Sequence, residues 1–186
     1  IQRPRDHKYP SDLKPTIFLS FSGKTKRELF IAQPISVALK EDFRWGRGDI
    51  KSTSLIGSVM LKNEAVVSGF DDAILIRDDK YVTEATTSNV FAVKKGSVLT
   101  PKKTNLFLHG ITRELVIEIC KKNDIPVKEC KLEKKTLFDA DEVWLTSSAR
   151  GVAPVNLIED KKIPLVGGDN SLWGVVTQCF LEQLEH

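Results

Sequence analysis

The chain has 186 residues, room for one well-cored domain and marginal for two. Hydrophobic residues make up 41% and charged residues 28%, the ordinary balance of a globular chain. The net charge of +3 is spread along the sequence with no block of like charge, which argues against nucleic-acid binding. No apolar run approaches the roughly 20 residues that cross a bilayer, so no membrane partner is expected. No stretch reads as a signal peptide either.

In chain order, "KPTIFLSFS" and "ISVALK" read as short strands. After "RWGRGDIK", the apolar positions Leu55, Ile56, Val59, Met60, Ala65 and Val66 keep helical spacing. Ser52 or Ser54 is a candidate cap, and Gly69 a stop. Three strands follow in close order: "DAILIR", the long "YVTEATTSNVFAVK" and "SVLTP". Asp78-Asp79 and Lys95-Gly96 supply the turns. "GITRELVIEICKKN" reads as a helix with Ile111, Leu115 and Ile119 on one face and Val116 and Cys120 beside them. The remainder reads as a strand, "IPVKECKL", a short helix, "KKTLFDA", a strand, "DEVWLTSS", and a last helix, "GVVTQCFLEQL". The class is α/β or α+β, because helices and hairpins alternate irregularly.

Cys120, Cys130 and Cys179 are odd in number and form no CxxC, so neither a disulfide framework nor a zinc site is implied. A reducing, cytoplasmic setting is the simplest reading. His7, His109 and His186 do not cluster, and no metal site is expected. The terminal Leu184-Glu185-His186 matches the start of a purification tag and is set aside.

Four segments look chemical. In "YVTEATTSNVF" the apolar residues lie at the ends, and Glu84 to Asn89 is a carboxylate followed mainly by hydroxyl and amide side chains. That reads either as a solvated bulge or as a polar pocket floor. In "LFLHGITREL", Gly110 permits close backbone approach and Thr112 can cap the helix. The first N–H groups there suit a phosphate, or the segment is a plain loop-to-helix junction. Lys51, at the start of an apolar helix, is either solvated like most lysines or partly buried, with a pKa lowered enough for its amine to attack aldehydes. Thr146-Ser147-Ser148, at a strand's end, form a turn or further phosphate ligands.

Together, in order and spacing, Lys51, "TEATTSNVF", "LHGITR" and "ADEVWLTSS" resemble the fold-type IV pyridoxal-phosphate (PLP) enzymes. That family holds D-amino-acid aminotransferases, branched-chain aminotransferases and aminodeoxychorismate lyases. The resemblance implies a large domain built as a pseudo-barrel of strands flanked by helices. It divides the chain into a linker and first strand (1–22), a PLP-binding domain (23–183) and the tag-like residues 184–186. It makes Lys51 the catalytic residue, which holds PLP as a Schiff base and shuttles a proton. Glu84 becomes the partner of the ring nitrogen, Ser88 and Asn89 its neighbours, and Leu108 the residue packed under the ring. Gly110, Ile111 and Thr112 form the phosphate-binding helix start. Ser147 and Ser148 are a second set of contacts, and Arg44 and Trp45 stand at the pocket wall.

At the beginning of the chain, "PRDHKYP" is similar to the Arg-x-His of D-amino-acid aminotransferases. It implies that Arg5 and His7 capture a substrate carboxylate. The resemblance therefore implies transamination between a D-amino acid such as D-alanine and a 2-oxo acid, in a homodimer. The alternatives are a branched-chain aminotransferase, a lyase of the same family, or a non-catalytic dimerisation module. The family also carries a small N-terminal domain with no counterpart in these residues. The expectation is a truncated chain that alone binds PLP poorly and does not turn over.

Overall fold

The computed structural model describes residues 11–12, 14–20, 32–165 and 171–184. Its elements run β1 (Ile35–Glu41), α1 (Ile56–Val67), β2 (Asp72–Arg77), β3 (Tyr81–Ala85), β4 (Asn89–Lys94), β5 (Ser97–Pro101) and α2 (Ile111–Lys122). They continue with β6 (Val127–Cys130), α3 (Lys134–Phe138), β7 (Glu142–Ser147), β8 (Gly151–Ile158), β9 (Lys161–Lys162) and α4 (Leu172–Gln183). Among the described residues no helix is long and apolar enough to cross a membrane.

Among the described residues the strands form one nine-stranded sheet in the order β3-β2-β1-β8-β7-β4-β5-β6, with β9 against β8. It is mixed: β1 is parallel to both β2 and β8, while β7 is antiparallel to both β4 and β8. The sheet curls until its ends meet. Tyr81 of the β3 edge bridges Glu133, and the Val82 N–H donates to the Leu132 carbonyl just past β6. This is the barrel-like α/β architecture the resemblance implies, with the otherwise open edges joined.

Both faces of the sheet are covered, which is why its strands read as apolar runs rather than alternating ones. Val90, Ala92, Val143 and Leu145 face a core shared with Val37, Ile74, Ile76, Ala153 and Leu137. Phe91, Val93 and Trp144 face the other way, under α2 and α4. Two hairpin turns follow the sequence reading: Asp78 and Asp79 have φ of 56° and 48°, and Lys95 and Gly96 have φ of 51° and 73°.

Several readings need correction. Residues 14–20 form no strand, and Ile17, Phe18 and Leu19 are exposed; no neighbouring strand among the described residues offers them backbone partners. The long strand through Glu84 is two strands. Residues 86–88 turn a corner, closed by the Ala85 N–H donating to the Ser88 carbonyl at 2.7 Å, so that β3 joins β2 and β4 joins β5 and β7. Strand β8 has no counterpart in the sequence reading, because Pro154 and Gly151 mask it. The N-cap of α1 is Leu55, with no side-chain cap from Ser52 or Ser54. Helix α1 also turns a different face inward. Ser58, Leu61 and Ala65 are buried, whereas Ile56, Val59, Met60 and Val66 are exposed. Its apolar face is wider than the contact that the short side chains of Ala38 and Ala73 allow. In α2, Ile111 is 83% exposed and Arg113 is fully buried. Leu184, set aside as tag-like, is the C-cap of α4.

Candidate active site

The site is built from the end of β1, the β3–β4 corner, the loop before α2 and the β7–β8 turn. At the end of β1 the Asp42 side chain is fully buried and surrounded by donors. Arg44 Nε lies 2.9 Å from Oδ1, Arg44 Nη2 3.0 Å from Oδ2, and Thr83 Oγ1 2.7 Å from Oδ2, with Arg77 Nη2 at 3.6 Å. Burial works to raise this carboxyl's pKa. The hydrogen bonds from Arg44 and Thr83 and the charges of Arg44 and Arg77 more than offset it, holding Asp42 below its ordinary value.

Glu84 shares that guanidinium. Arg44 Nη1 donates to Glu84 Oε1 at 2.8 Å, and the Leu108 N–H donates to Oε2 at 3.4 Å. Here burial prevails: desolvation raises the Glu84 pKa to about 7, although Arg44 and the Leu108 N–H pull it down. The result is a fixed carboxyl that changes charge near neutrality. Arg44 is thus the anchor of Glu84, while Trp45 is 61% exposed.

The loop that carries Leu108 also sets the start of α2. Asn89 Nδ2 donates to the Leu108 carbonyl at 2.8 Å, so Asn89 is an anchor for this loop. A Cβ at Gly110 would run into Asn89 Oδ1. Gly110 is the N-cap of α2 and brings no side chain to it. The N–H groups of Ile111, Thr112 and Arg113 precede the first intrahelical bond, from the Glu114 N–H to the Gly110 carbonyl at 3.1 Å, and point out of the helix end. Thr146 pairs with Asn89 across the sheet, on the face that carries α2, and its buried Oγ1 has no hydrogen-bond partner among the described residues. Ser88 is buried at the corner. The Gly110→Ala variant is expected to push Asn89 and α2 apart and to cost about 1–3 kcal/mol, as added atoms do in a filled site. An unchanged urea midpoint would contradict this packing.

Lys51 is exposed rather than partly buried. Its loop is nevertheless pinned. Asn105 Nδ2 donates to the Gly46 carbonyl at 2.5 Å, and the Asp49 N–H donates to the Asn105 carbonyl at 3.4 Å. The loop that touches Glu84 and Asn89 therefore also holds the approach to Lys51. In the β7–β8 turn Ser147 is half-buried and Ser148 exposed. Arg5 and His7 lie outside the described residues.

Sequence reasoning missed Asp42 and Asp72. Buried Asp72 accepts from Thr86 Oγ1 at 2.5 Å and meets Lys62 Nζ at 3.2 Å and Arg150 Nη1 at 3.4 Å. It ties the β3–β4 corner, α1 and the β7–β8 turn together. The only local signal was an aspartate at each strand boundary.

The barrel-like α/β sheet thus carries a buried, anchored carboxyl beside an open helix start. The chain belongs to the family described as "Amino-transferase class IV", whose model matches residues 1–158. It is 34% identical over 186 residues to a D-alanine aminotransferase of Listeria monocytogenes, an alignment spanning 99% of this chain and 64% of that protein. The fold matches the fold IV-transaminase CpuTA1 of Curtobacterium pusillum at a TM-score of 0.76 and 26% identity, covering 89% of this chain and 58% of that one. An aminotransferase of Brucella abortus, solved bound to PLP, matches at 0.72 and 25%, covering 84% and 56%. Branched-chain aminotransferases, among them that of Thermoproteus uzoniensis at a TM-score of 0.70 and 27% identity, are other solved structures with this fold.

Proposed function

We propose that this chain carries the PLP-holding site of an aminotransferase that moves an amino group between a D-amino acid, such as D-alanine, and a 2-oxo acid. The observation that carries the reading is Glu84: a buried carboxyl, fixed by Arg44 and the Leu108 N–H, joined through one loop to an open helix N-terminus. The D-alanine aminotransferase relatives favour the D-amino acid.

The residues present fit PLP. The free N–H groups of Ile111 and Thr112, with the helix dipole behind them, suit its phosphate, and the unpaired Thr146 hydroxyl lies on the same face of the sheet as α2. Glu84 would face the ring nitrogen, where its negative charge favours the protonated ring. Ser147 and Ser148 would add contacts from the β7–β8 turn. When bound, PLP supplies the electron sink for the substrate's α-carbon. Lys51 Nζ is the group that takes the α-proton and returns it. Arg5 and His7 would hold the substrate carboxylate, the two substrates would take turns at the site, and the working unit would be a homodimer.

In a chain that also carries the family's small N-terminal domain, bound PLP should give a visible absorbance that Lys51→Ala abolishes. D-Alanine should discharge it and yield pyruvate. Discharge by L-leucine but not D-alanine would favour the branched-chain reading instead. Absorbance that survives in Lys51→Ala would sink the assignment of Lys51.

A further inference from the structure

Arg113 is the third residue of α2, and its side chain is completely buried. Both terminal nitrogens are paired, while the buried Nε has no hydrogen-bond partner among the described residues. Nη2 donates to the Pro101 carbonyl at the end of β5 at 2.7 Å and to Glu129 Oε2 on β6 at 2.6 Å. Nη1 donates to Glu114 Oε1 at 2.6 Å, and the guanidinium lies 5.8 Å from the ring centroid of Phe107, in the loop before α2. A buried charge persists only with such pairing. One planar group thus fastens the first turn of α2 to two strand ends and to its own entry loop.

The electrostatics point the same way. Glu114 and Glu129 place two carboxylates near the start of α2, where they oppose an incoming anion. Arg113 and Lys103, which meets Glu114 at 2.8 Å, counter them two for two. We propose that Arg113 is a positioning residue, a buried clamp that sets the place and charge of the α2 N-terminus and thereby its affinity for a phosphate group. This rests on the phosphate reading of that helix end given above.

Two variants separate the clamp from simple charge. Arg113→Lys keeps the charge but loses the fork. Glu129→Ala, at a half-exposed position, removes a clamp partner and also a negative charge. Charge alone would make Glu129→Ala bind phosphate more tightly; the clamp makes it weaker. Calorimetric titration of the chain with inorganic phosphate is expected to show a Kd raised about tenfold, the loss of one good hydrogen-bonded contact, in both variants. Amide hydrogen exchange at Glu114 and Leu115, the first hydrogen-bonded amides of α2, should quicken in both without phosphate, while exchange in β4 and β7 stays unchanged. Tighter or unchanged binding by Glu129→Ala, or unaltered exchange in the first turn of α2, would overturn the clamp. If wild type binds no phosphate while the exchange effect holds, the clamp on the helix stands and both its effect on affinity and the phosphate reading fall. Should Arg113→Lys not fold, Glu129→Ala decides alone.

Discussion

Asp42→Ala is expected to lower the stability of the chain by about 3–5 kcal/mol, the cost of leaving buried charge without its partner. Among the described residues Asp42 is the only group that touches Arg44, Arg77 and Thr83 together, and its side chain is fully buried. Among the described residues its removal leaves Arg44 with Glu84 as its one ion-pair partner and Arg77 with none, its Nη2 still donating to the Arg44 carbonyl at 3.0 Å. The loss should also be local. Arg44 would lose the bidentate hold that aims its third nitrogen at Glu84. Urea denaturation checks the size, and Asp42→Asn should recover part of it by keeping an acceptor for Arg44. A loss under about 1 kcal/mol, the range of a surface ion pair, would show that this network is not a buried one.

Glu84→Gln is expected to remove a pH dependence of stability and to slow the proposed reaction. The folded chain holds the Glu84 proton up to about pH 7, whereas an ordinary glutamate releases it near 4.5. Between those values the folded state binds more protons than the unfolded state, so stability falls as pH rises. Glu84 thus contributes fully below about 4.5 and loses that contribution as pH passes 7. The difference is worth on the order of 3 kcal/mol, taken at 1.36 kcal/mol for each pH unit. Asp42 acts in the opposite sense and in another window: its lowered pKa gives stability that is present above 3.8 and lost as acid is added. Stability curves of wild type and Glu84→Gln should therefore diverge across pH 4.5–7, with the variant flat there. In the proposed reaction the same change should lower kcat at least about 100-fold, the scale of losing one electrostatic partner of the reacting system. Parallel stability curves would contradict the burial of this carboxyl.

Much of this was legible in the residues themselves. Hairpin turns are local: Asp78-Asp79 and Lys95-Gly96 adopt the positive φ that such pairs tolerate. The start of α2 at Gly110 and the carboxylate-hydroxyl run from Glu84 are also local patterns. Other features were not. Glu84 meets Arg44 across 40 positions, and Asp72 meets Arg150 across 78. Arg113 sits in the core because Pro101 and Glu129 supply acceptors there, which no helical period records. The α1 pattern mistook apolar for buried: Leu61 and Ala65 pack against the sheet while Val59 and Met60 do not.

By itself, then, the amino-acid order determined most of the strands, though not β8 or the break after Ala85, and where several turns fall, because these depend on side-chain period and backbone conformation within a few residues. The barrel closure at Tyr81 and Glu133, the anchoring of Glu84 by Arg44, and the burial of Asp42, Asp72 and Arg113 were decided only in the tertiary structure. Such groups are stable out of water only when distant partners arrive to satisfy them, and the fold alone brings those partners together.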